Sequence, residues 1–116
     1  MDGLIIKTKW IDLILSGKKV IELRGCDCKS HINTYIALIE SSSGMIKGHT
    51  FLYRSINLCK SGLEQLFLSH CVNADDLSLI KYKKIFGWYI INTQRYDIPI
   101  PYKHPKGAVI WVKNVL

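Results

Sequence analysis

Lys18, Lys19, Glu22 and Arg24 fall within one short stretch, Gly17 to Arg24. Glu22 and Arg24 are two apart, so on a strand they share one face. A guanidinium in that position can grip the carboxylate through paired hydrogen bonds. The lysines supply compact positive charge for a phosphate. A lysine can also act as nucleophile or base when burial or a neighbouring cation lowers its pKa. The group therefore suits either capture of an anionic ligand or acid–base work on it. The plain alternative is an ion pair on an edge strand, worth under about 1 kcal/mol. In a regular strand Lys19 and Glu22 face opposite sides. They converge only if Lys19 still belongs to the preceding turn.

The elements around this group are legible. Leu4, Ile5 and Ile6 form the apolar run of a buried strand. Thr8 is a candidate N-cap for the helix that follows. Trp10, Ile11, Ile14 and Leu15 recur at helical spacing and point inward. Gly17 ends the helix in the left-handed conformation that glycine tolerates. Val20, Ile21 and Leu23 favour a strand.

The 116 residues suit one compact domain spanning 1–116. An apolar share of 48% supports a real core. No apolar run approaches the roughly 18 residues of a membrane span, and the N-terminus lacks the pattern of a signal peptide. These features predict a soluble cytoplasmic protein without a membrane partner. Lysine and arginine total 16 against 9 acidic residues, a net charge of +7. Such an excess favours polyanions, chiefly nucleic acid. The basic residues are spread out, which predicts a folded patch rather than a basic tail. Cys26, Cys28, Cys59 and Cys71 do not make paired zinc knuckles, even with His31 beside the first two. Free reduced thiols, no metal and no cofactor are expected.

Further along, Gly25 to Asn33 reads as a loop and Thr34 to Glu40 as a central strand. Ile46 to Leu58 is extended, with Gly48 marking a bulge or bend. Ser61 and Glu64 have capping-box spacing for a helix carrying Leu63, Leu66, Phe67 and His70. Asn73 to Asp76 starts another, with Leu77 and Ile80 inward. Lys81, Lys83 and Lys84 at its end suit the helix dipole. Phe86 to Asn92 is a strand, Asp97 to Gly107 a proline-bearing loop and Ala108 to Lys113 a closing strand. The pattern predicts an α+β fold: a small barrel of five or six strands flanked by two or three short helices.

The stretch Gly17-Lys18-Lys19-Val20-Ile21-Glu22-Leu23-Arg24 resembles the G-x-K-x-x-E-x-R signature of the ASCH domains, a branch of the PUA-like fold. Trp88, Tyr96, Pro99-Ile100-Pro101, Gly107 and Trp111 resemble the same family's later strands. The resemblance spans nearly the whole chain. It implies a PUA-like barrel with a cleft beside the first motif, and a role around RNA or modified bases. One bacterial branch of the family removes the acetyl group of N4-acetylcytidine with a lysine, a threonine and a glutamate. Lys19 matches the lysine, Glu22 stands at the threonine, and no motif fixes the third residue, with Asp75 and Asp76 nearby in order. Another branch has been described as ribonucleases, and this chain offers no clear histidine pair for that.

Two function classes follow. The first is an RNA- or nucleotide-binding domain with Gly17, Lys18, Lys19, Glu22, Arg24, Trp88 and Trp111 at the ligand. Trp10, Tyr89 and Tyr102 are further candidates for stacking on bases. The second is a small hydrolase acting on an acylated or modified nucleoside, with Lys19 and Glu22 catalytic. The sequence leaves the oligomeric state open.

Overall fold

The computed structural model describes residues 1–116. Strand β1 (Gly3–Ile6) leads into helix α1 (Thr8–Leu15), then β2 (Ile21–Arg24). A short 3-10 turn at Lys29–His31 precedes β3 (Thr34–Glu40) and the long β4 (Met45–Leu58). Three short helices follow: α2 (Lys60–Gln65), α3 (Phe67–His70) and α4 (Ala74–Ser78). The chain closes with β5 (Ile85–Pro101) and β6 (Trp111–Val112).

All six strands join one sheet in the order β2-β5-β4-β3-β1-β6. β1 lies parallel to β3, with Gly3 opposite Ala37 and Ile6 opposite Glu40, and antiparallel to β6. The α+β class and the strand number are as expected. The barrel is not closed, because the outer strands β2 and β6 do not pair with each other. No helix is long and apolar enough to cross a membrane.

The main core lies between α1 and the sheet. Ile11, Ile14 and Leu15 pack with Leu4, Ile6, Ile36, Leu38, Leu52 and Trp88. A second cluster, Ile21, Leu23, Leu63 and Val72, seats the helical segment on β2. A third, around Ala37, Ile39, Ile46 and Val112, takes Tyr96 and Tyr102 at its edge.

Several local expectations change. Thr8 is the first helical residue, and Lys7 stands at the cap with no side-chain bond. Gly17 does take the left-handed region, at φ +85°. At α2 the cap is Cys59, whose sulfur accepts from the Gly62 amide, in place of Ser61. The segment from 60 to 70 forms two helices rather than one, so there are four in all. A helix does start at Asn73, which caps α4 by accepting from the Asp76 amide at 2.8 Å. β5 runs through Pro99 to Pro101, where a loop was expected. β2 pairs with β5 only over Phe86–Tyr89, so the later part of β5 is an edge and tolerates proline. The expected closing strand shrinks to Trp111–Val112.

Candidate functional site

The turn after α1 decides the geometry. Gly17 donates to the Ile14 carbonyl, and the Lys19 amide reaches back to the Leu13 carbonyl. Lys19 therefore precedes β2 and escapes its alternation. Its side chain folds inward instead of opposing Glu22. The ammonium lies 3.5 Å from Glu22 Oε1, donates to the His70 carbonyl and sits 5.1 Å from the centre of the Trp10 ring. Only 1% of Lys19 is exposed. Burial pulls its pKa below the usual lysine range, against the attraction of Glu22.

Glu22 and Arg24 share a face of β2, as the spacing requires. Arg24 donates to Glu22 Oε2 from both Nε, at 3.2 Å, and Nη2, at 2.9 Å. Its Nη2 also reaches the Ile5 carbonyl at 3.1 Å, which ties β2 to β1. The guanidinium stands 5.7 Å from the Trp88 ring. Trp88 in turn stacks at 5.9 Å on Trp111, and Trp111 stacks at 3.7 Å on His31. The Trp88 indole donates to the Cys26 carbonyl. A carboxylate with this many fixed neighbours is held before any ligand arrives.

A cleft of about 940 Å³ opens in front of Glu22 and Arg24. Trp10 and Trp88 form part of its wall, and Lys7, Lys9 and Lys81 contribute positive charge. Lys9 is tied to Asp76 at 2.6 Å and lies 4.8 Å from the Trp10 ring. Tyr82 lies against Gly25, so closely that a Cβ there would meet its ring at 2.5 Å. Val109 and Ile110 close the opposite side.

No family model matches the sequence, and no curated protein is detectably similar to it. Solved structures do match. The ASCH protein of Zymomonas mobilis superposes with a TM-score of 0.74 at 13% identity, over 86% of this chain and 72% of that one. A serine-to-alanine variant of it gives 0.73 at 14% identity, with the same coverage of both chains. A tyrosine-to-phenylalanine variant gives 0.70 at 14% identity, over 86% and 74%. The fold is that of an ASCH domain.

Within this ASCH fold the sequence candidates separate into three positions. Glu22, Arg24 and Trp88 line the cleft. Lys19 stands behind Glu22, and Trp111 stands behind Trp88. Gly17 and Lys18 are exposed outside the cleft wall, where Gly17 shapes the turn. Asp76 joins the wall, while Asp75 does not. Lys7, Lys9, Tyr82, Val109 and Ile110 were not foreseen, and Lys81 was assigned only to a helix end. They come from three separate regions of the chain, and no local pattern marks them. The spacing of His31 associates it only with the cysteines. It pairs instead with Asp2 at 3.0 Å and stacks on Trp111.

Proposed function

We propose that this domain binds RNA or a nucleotide in the cleft at Glu22 and Arg24. The observation that carries the reading is a prearranged carboxylate facing a cleft that joins indole walls to lysines. Glu22 Oε2 takes both Arg24 bonds, whereas Oε1 has only Lys19, at 3.5 Å. An ionised carboxylate has about four lone-pair sites, so Glu22 keeps acceptor capacity beyond these contacts for a base amino group. Lys7, Lys9 and Lys81 supply phosphate contacts, and such contacts position a strand without reading its sequence.

Calorimetric titration with single-stranded RNA and with mononucleotides, at low and at physiological salt, tests this. Affinity should fall steeply with salt, because each phosphate contact releases counterions. Arg24→Ala should weaken binding about tenfold or more, since it frees Glu22 and removes a charge from the cleft. Absence of binding at low salt would end the reading.

The second reading is hydrolysis of an acylated nucleoside such as N4-acetylcytidine, with Lys19 as nucleophile or base and Glu22 as acid or base. The convergence of the two side chains and the depressed pKa of Lys19 favour it. It ranks second because the Lys19 ammonium is occupied by the His70 carbonyl and does not line the cleft. Chromatography of N4-acetylcytidine after incubation with the protein decides it. Turnover that disappears in Lys19→Ala would establish the enzyme.

A further inference from the structure

A second cleft, of about 460 Å³, abuts the first along Ile5, Ser41 and Val109. Its far side is formed by Tyr102 and His104. We infer that the two clefts form one groove for a single-stranded RNA several nucleotides long, passing from Glu22 and Arg24 over Val109 onto Tyr102 and His104. The inference rests on the proposed nucleic-acid reading and specifies the size of the ligand.

Three observations carry it. The first is the junction: Val109 is 76% exposed, an apolar side chain held up where the clefts meet. The turn at Gly107, with φ +83°, brings the chain round to place it there. A base edge or ribose crossing from one cleft to the other would cover that side chain. The second is the far end. The Tyr102 hydroxyl bonds His104 Nδ1 at 2.8 Å, and His104 Nε2 bonds the Ala108 carbonyl at 2.9 Å. Both rings are thereby fixed before binding, as a stacking platform for a base requires. The third is charge. The first cleft carries Lys7, Lys9, Arg24 and Lys81 against Glu22 and Asp76, no acidic residue lines the second, and the exposed Lys103 and Lys106 are close in sequence to its Tyr102 and His104. Positive charge at both ends suits a ligand with several phosphates better than one nucleotide.

Calorimetry with oligouridylates of one, two, four, six and eight nucleotides at a single low salt concentration tests this. Affinity should rise about tenfold or more from the mononucleotide to the length that fills the groove, then level off. His104→Ala, at an exposed side chain, should weaken the longer oligomers about fivefold and leave the mononucleotide unchanged. Tyr102→Ala should do the same more strongly, and Tyr102→Phe should retain most of the affinity. Equal affinity for one and eight nucleotides would overturn the inference while leaving the single-cleft reading intact. So would a length dependence that both alanine variants preserve. Failure of every length to bind would remove both.

Discussion

The Lys19 ammonium lies 3.5 Å from the Glu22 carboxylate, with side-chain exposures of 0% and 7%. Neither group has bulk water to fall back on. Removing Glu22 therefore leaves the Lys19 ammonium buried with the His70 carbonyl but without its counter-charge, which costs about 3–5 kcal/mol. Glu22→Gln should lose stability of that order in urea titrations at neutral pH. Part of the loss should return as pH rises. Burial already lowers the Lys19 pKa, and Glu22 is the main group raising it, so the substitution lowers it further. Between that lowered value and the usual lysine value of 10.5, the unfolded chain binds the extra proton, so stability climbs with pH. A deficit that stays constant from pH 7 to 10 would contradict this account.

His70 gives the opposite end of the pH scale. It is fully buried, and burial pulls its pKa below the ordinary 6.5. Its Nδ1 accepts from the Val72 amide at 2.9 Å, which leaves Nε2 to donate to the Leu63 carbonyl at 2.6 Å. Only the neutral ring satisfies both. Below about pH 6.5 the unfolded chain binds a proton that the folded chain refuses, so stability should fall until the folded value is passed. The urea midpoint should drop between pH 7.5 and 5, and His70→Asn should flatten that drop while costing stability throughout.

Gly48 is where β4 bends against β5. A Cβ at this position would lie 2.2 Å from the Gln94 carbonyl oxygen and 2.7 Å from the Leu15 side chain. Backbone must move to admit it. Gly48→Ala should lose about 1–3 kcal/mol by denaturant titration, and Gly44→Ala in the open turn should not show this packing loss.

The four thiols should separate in a timed alkylation followed by mass spectrometry. Cys59 is exposed, and hydrogen bonds from Ser61 and then the Gly62 amide lower its pKa. Cys28 is buried in the main core, and burial pushes its thiol up to about 11. Cys59 should label fastest and Cys28 last in the native protein, with all four equal in denaturant. Early labelling of Cys28 would mean that the core under α1 opens readily.

The parts of this site that depend on near neighbours could be read in the chain. Period-two spacing placed Glu22 and Arg24 on one face, and Gly17 marked the turn that frees Lys19 from the strand. The bulge at Gly48 and the helix start at Asn73 to Asp76 are local in the same sense. The cleft is not local. Its outer wall joins Lys7 and Lys9 from one end of α1 to Lys81, Tyr82 and Val109, residues that meet only when β1, β2 and the helical segment have packed. The continuation of β5 through two prolines escaped for a related reason. Proline argues against a strand until one knows which edge lacks a neighbour, and that is a property of the whole sheet.

The stacking of Trp111 on Trp88, and of Trp88 beside Arg24, gives the cleft an intrinsic optical reporter. Trp10 lies in the same wall under two ammonium groups. With only three tryptophans in the chain, the whole indole emission of the protein originates at the cleft or directly behind it. A base settling against Trp10 or Trp88 should quench that emission. A shift of Arg24 should alter the exciton coupling of the Trp88–Trp111 pair in near-ultraviolet circular dichroism. Occupancy of the cleft would thus be visible in unlabelled protein, and a ligand screen would need no tag on either partner.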